Sequence, residues 1–139
     1  MTTGRPYIVD SQVGFMLRKA HQRHTTIFTN RVRSTIRPSQ FAVIAKLAQL
    51  GPMSQNELGR RTAIDTATIK GVVDRLIAKG LLEQVSTDDA RRRITDLTPE
   101  GRNFYEKMVP VAKQITSETL EPLTVEERAT FIRLLKKLG

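Results

Sequence analysis

The chain contains no cysteine. That absence excludes disulfides, thiolate catalysis, thiol redox sensing and zinc sites built on cysteine. Histidine is nearly as scarce, and both copies, His21 and His24, fall in one helical pattern. No glycine-rich phosphate loop is present, and no nucleophile–base–acid set can be assembled from the spacing of the polar residues. An enzyme is therefore not expected. No cofactor is implied. No metal is implied either, because no carboxylate or thiol accompanies the two histidines to complete a site. No apolar run approaches the ~20 residues of a membrane span. The N-terminus lacks the apolar core of a signal peptide. A soluble, cytoplasmic protein with no membrane association is expected.

What the chain has in excess is positive charge. Lysine and arginine total 23 against 14 acidic residues, a formal net charge of +9 over 139 residues. Such a balance points to a polyanionic partner, nucleic acid before an anionic membrane surface. The length suits one domain spanning residues 1–139 with a single core. The hydrophobic share of 39% is ordinary for a globular protein.

Periodicity orders the chain. Residues 1–7 form a loose arm. From Ile8 to about Ser34, Val13, Met16, Leu17, Ala20, Ile27 and Phe28 recur at spacings of three and four and draw one apolar stripe. Pro38 starts a second helix with Ser39 as its candidate cap, and Gly51-Pro52 closes it. Ser54 and Glu57 fit a capping box at the head of a short third helix anchored by Leu58. Asp65 is an N-cap for a fourth helix, whose apolar side is Ile69, Val72, Val73, Leu76 and Ile77.

Leu81–Ser86 and Arg93–Leu97 read as two short strands, with the charged run 87–92 as the hairpin tip. Thr98-Pro99-Glu100 opens a fifth helix, within which Pro110 predicts a kink or a weak turn. Thr124 and Glu127 form another capping box before the last amphipathic helix. The predicted fold is mostly α: four helices, two strands, then two helices. Its middle is a winged helix-turn-helix lobe over residues 36–98, flanked by dimerisation helices over 8–34 and 99–139. The outer helices cannot all bury their stripes on so small a middle, and a second copy is the expected partner.

The wording of several segments carries a resemblance. QFAVIAKLAQLGPMSQNELGRRTAID, TIKGVVDRLIAKGLL, DDARRRITDLTPEG and LTVEER together resemble the MarR family of bacterial transcriptional regulators, over roughly Ile8 to Leu138. The most specific piece is the wing, where Asp89, Arg91, Leu97-Thr98 and Gly101 match the family's D-x-R…L-T-x-x-G spacing. The segment ATIKGVVDRL resembles most the regulators of aromatic and heteroaromatic acid breakdown, nicotinate among them. The resemblance implies a homodimer on double-stranded DNA, with a small-molecule pocket between the dimerisation helices and the DNA-binding lobe. Two departures stand out: Gly71 and Gln84 occupy positions where the family often has arginine.

In such a fold the first half of the fourth helix enters the major groove. Thr66, Ala67, Thr68 and Lys70 have the size and chemistry to meet base edges there, with Arg75 further along the same helix. Ser54 and Gln55 are placed to touch backbone phosphate, while Arg60 or Arg61 is either the cationic neighbour that the Asp65 carboxylate needs beside a phosphate or ordinary solvated charge. At the wing, Arg91, Arg92 and Arg93 are adjacent and cannot all point one way in a strand. Arg91 suits the minor groove, with Asp89 pinning it.

Arg18, His21 and His24 form a second cluster, on the first helix. An arginine one turn from a histidine can grip a carboxylate while the histidine bonds a ring heteroatom, with Phe41, Ile44, Phe104 and Met108 as apolar walls. The bland reading, a satisfied core histidine beside surface charge, stands next to it. The expected function is sequence-specific repression, from a pseudo-palindromic operator, released by a small aromatic or heteroaromatic carboxylate effector. The rival is a non-specific architectural nucleic-acid binder, which shares the charge but needs neither pocket nor fixed half-site spacing.

Overall fold

The computed structural model describes residues 4–33, 35–85 and 93–139. A 3-10 turn at Val9–Ser11 leads into α1 (Val13–Val32), so the helix expected from Ile8 begins only after Gln12. Then follow α2 (Pro38–Leu50), β1 (Met53–Ser54), α3 (Gln55–Thr62) and α4 (Thr66–Ala78). The chain continues through β2 (Leu82–Val85), β3 (Ile94–Leu97), α5 (Pro99–Thr119) and α6 (Val125–Leu138). The expected hairpin tip at 87–92 lies outside the described residues.

Most helix starts are set by the expected caps. The Asp65 carboxylate accepts from Thr68 N at 2.8 Å, and Thr98 Oγ1 accepts from Gly101 N at 2.9 Å. Thr124 and Glu127 form the full reciprocal box. Two expectations are corrected. Ser54 accepts from Glu57 N at 3.2 Å, but the Glu57 carboxylate turns to Arg60 and Arg61 instead of reaching back. At α2, Arg37 rather than Ser39 is the N-cap residue, and the Gln40 side chain accepts from Arg37 N at 3.1 Å. Pro110 lies inside α5 on an exposed position, and the helix runs through it.

The core is made where α2, α3 and α4 meet. Val43, Ile44, Leu47, Leu58, Val73 and Leu76 are fully buried there. The turn between α3 and α4 is tight: Ala63 takes a left-handed conformation at φ 57°, and Ile64 N returns to Gly59 O at 3.0 Å. The sheet has the order β1-β3-β2, all antiparallel. The two-residue β1 was not expected. It pairs Met53 with Thr95 and Ser54 with Ile94, and so ties the head of α3 to the wing.

The root of the wing is fixed by backbone proximity. Thr98 N donates to Leu81 O at 3.1 Å, and Thr98 Oγ1 donates to Gly80 O at 2.6 Å. A Cβ on Gly101 would lie 2.0 Å from Leu81 O, so the first turn of α5 can seat against the backbone between α4 and β2 only with glycine there. This is a physical reason for the Leu97-Thr98-x-x-Gly101 spacing noted in the sequence.

Candidate nucleic-acid interface

Helix α4 turns one side to the core and the other to solvent. Ile69, Val72, Val73 and Leu76 are buried, whereas Thr66, Ala67, Thr68, Lys70 and Arg75 are exposed. Asp65 caps the helix, and hydrogen bonding to Thr68, side chain first and backbone second, holds its carboxyl below the ordinary range. Lys70 Nζ lies 2.7 Å from Asp74 Oδ2, an exposed pair one turn apart. The sequence reading missed this acid, although the i, i+4 spacing was there to be read.

Arg60 and Arg61 are both tied to Glu57, at 2.7 and 2.9 Å. Those two hydrogen bonds, Arg60 first, pull the Glu57 carboxyl below its usual value. The two arginines therefore present a shared, partly neutralised charge in the free protein. Arg60 also lines a cleft of about 560 Å³ with Asn56, Asp65 and Thr66, between α3 and the head of α4. Ser54 and Gln55 are half-buried at the start of α3, and the Ser54 hydroxyl is engaged as a cap. Arg93 is exposed at the edge of β3. Asp89, Arg91 and Arg92 lie outside the described residues.

The cluster on α1 separates into three environments. Arg18 borders a concavity of about 440 Å³ with Tyr7, Gln12 and Phe15, near the N-terminal arm. His21 borders a different cleft of about 660 Å³, shared with Thr25, Thr29, Arg37, Ser39 and Ile64. His24 turns to α5, where Nδ1 lies 2.9 Å from Thr119 Oγ1. Burial, and then the charge of His21, push the His24 pKa down. His24 is thus half-buried, with a hydrogen-bond partner on α5.

The expected apolar walls do not group with His21 either. Ile44 is fully buried and Met108 nearly so, both in the core, because each sits on the inward face of its helix. Phe41 stacks on Tyr105 with ring centroids 6.2 Å apart, and Phe104 packs against the same core. Arg37, which the sequence reading did not single out, lines the same cleft as His21. It sits in the crossing from α1 to α2, where no periodicity marks a residue for attention.

Comparison with known proteins adds to this geometry. Residues 34–93 match the MarR family. The HTH-type transcriptional repressor NicR of Pseudomonas putida is 43% identical over 136 residues, covering 96% of this chain and 85% of NicR. The chain belongs to the MarR family. Its winged-helix fold is shared with a probable transcriptional regulator from Pseudomonas aeruginosa, at TM-score 0.90 and 41% identity, covering 95% of this chain and 100% of the other. It is shared also with Bordetella bronchiseptica BpsR, whose DNA binding is regulated by 6-hydroxynicotinic acid. That structure aligns at TM-score 0.89 and 40% identity, covering 96% and 98% of the two chains. This MarR-family chain is a transcriptional regulator and not an enzyme. Among the described residues no helix is long and apolar enough to cross a membrane.

Proposed function

We propose that the protein is a homodimeric, sequence-specific repressor, released from a pseudo-palindromic operator by a small aromatic or heteroaromatic carboxylate. The observation that carries the control half of this reading is the cleft at His21 and Arg37. It is lined by α1, by the crossing into α2 and by Thr62 and Ile64 at the end of α3. A ligand seated there touches an outer helix and the DNA-reading lobe at once. It can favour one lobe arrangement over another, and only such differential binding shifts the population.

Chemistry within the cleft suits the ligand class. Arg37 supplies a guanidinium for a carboxylate. His21, with Thr25 at 3.4 Å from its Nε2, offers donors and acceptors for a ring substituent. Regulation of BpsR by 6-hydroxynicotinic acid supports the same class. Arg18 borders a separate concavity near the N-terminal arm and is not assigned to this cleft.

For DNA, the reading rests on the exposed residues Thr66, Ala67, Thr68 and Lys70 at the front of α4, supported by Ser54, Gln55, Arg60 and Arg75. Asp89, Arg91, Arg92 and Arg93 are assigned to the wing contact. The second copy is expected on the terminal helices. Val13, Met16 and Leu17 on α1 and Ile132, Leu134, Leu135 and Leu138 on α6 are exposed.

The test is an operator-binding titration with 6-hydroxynicotinate and related aromatic acids, paired with thermal unfolding. A true effector weakens operator binding. At 100 times its dissociation constant it also stabilises the protein by about 2.7 kcal/mol. Arg37→Ala should abolish both responses while leaving DNA binding without ligand intact. An undiminished response in Arg37→Ala would remove the assigned cleft.

A further inference from the structure

Helix α4 carries an acid where a DNA-reading helix has least use for one. At 3.6 residues per turn, Ala67, Gly71, Asp74 and Ala78 fall in one line, opposite the buried Ile69, Val72, Val73 and Leu76. Three of the four are small. A Cβ added at Gly71 would meet nothing within 4 Å, so the ridge beside Asp74 is open. The Asp74 carboxylate is exposed in the middle of this outward line, and its oxygen holds Lys70 Nζ at 2.7 Å.

Helix stability gains little from the pair. An acid four residues before a base favours a helix, and Lys70 before Asp74 is the reverse order. Both side chains are largely solvated, where an ion pair contributes little. Entering a groove walled by phosphates, a carboxylate is repelled unless it meets a hydrogen-bond donor.

The major groove offers such donors only on base edges. A G·C pair presents the guanine acceptors N7 and O6 beside the cytosine N4 donor. A lysine ammonium next to a carboxylate is the complementary donor–acceptor couple. Resting on the DNA-binding reading above, we infer that Lys70 and Asp74 act together as the reader of one G·C pair in each half-site, and that Asp74 is a specificity-determining residue. Nζ donates to the guanine edge, and the carboxylate accepts from cytosine N4. The bare position at Gly71 leaves room on the ridge for the close approach this needs. Without the acid, Lys70 is free to take a phosphate, which carries no sequence information.

The test selects binding sites from a random duplex pool with the wild type, Asp74→Ala and Lys70→Ala. The wild-type motif should carry one symmetric G·C position per half-site. Asp74→Ala should lose preference at that position alone, by roughly tenfold in competition. It should also bind random DNA more tightly, with a steeper salt dependence. Lys70→Ala should lose the same position and weaken binding. Circular dichroism melting of each variant checks that the fold is kept. An unchanged motif for Asp74→Ala overturns the inference, and so does loss of preference at an A·T position instead. A wild type that selects no motif at all overturns the proposed function itself, and this role with it.

Discussion

Helices α4 and α6 are nearly the same length, 13 and 14 residues, and both are amphipathic, yet they end in opposite states. Helix α4 buries Ile69, Val72, Val73 and Leu76, while α6 buries no residue in the single chain. In α4 the apolar face is used up inside the lobe, so its polar face is held in a fixed pose toward solvent. In α6 the face is left over. Equal amphipathicity therefore tells that a helix will pack, and only the surroundings tell against what.

The largest effects should fall on the lobe. Leu58 is fully buried, and Leu58→Ala should cost about 2–5 kcal/mol by chemical denaturation. By contrast, Leu135 is 38% exposed in the single chain. Leu135→Asp should change the unfolding of the dilute chain by no more than about 0.5 kcal/mol. Its effect should appear instead in sedimentation, as association moved to higher concentration. If Leu135→Asp sediments like the wild type at every concentration, α6 is not the surface a second copy covers.

A second comparison sets two glycines against each other. Gly101→Ala should destabilise by about 1–3 kcal/mol, because its Cβ would meet the Leu81 carbonyl at 2.0 Å and that backbone cannot yield cheaply. Gly71→Ala should stabilise by roughly 0.5–1 kcal/mol, because the site is helical and open. Paired denaturation curves of opposite sign are the check. Two losses would mean that the ridge at Gly71 is not open.

The smallest expected effect is the pH response of the His24–Thr119 contact between α1 and α5. Burial and His21 lower the His24 pKa, so the folded protein binds this proton less readily than the unfolded chain. Its contribution is present above the unfolded pKa and is lost as pH falls through the folded value. Stability should therefore decline modestly from about pH 7 to 5, and His24→Gln should flatten that decline. A slope unchanged in His24→Gln would assign the response elsewhere.

Much of the fold was legible in the sequence because its signals are local. Asp65, Thr98 and Thr124 cap the helices they were expected to cap, and Gly51 closes α2 at positive φ. The misses are non-local. β1 is two residues long, too short to alternate, and exists only because β3 comes back to it. Glu57 had two possible destinations, and the sequence could not weigh two arginines against one backbone N–H. The site followed the same division. The exposed face of α4 could be read from periodicity. The His21 cleft could not, because Arg37 reaches it from a chain crossing and Arg18, one turn from His21, lies in a different concavity.

On the proposed function, two copies of α4, held at one spacing, read DNA together. Fluorescence anisotropy on the selected palindromic duplex tests it, against a duplex with about five base pairs inserted between the half-sites. The insertion turns one half-site to the opposite face of the helix, since successive major-groove sites on one face recur every ~10.5 base pairs. Affinity for the lengthened duplex should fall toward that for random DNA. Equal affinity for both duplexes would contradict it.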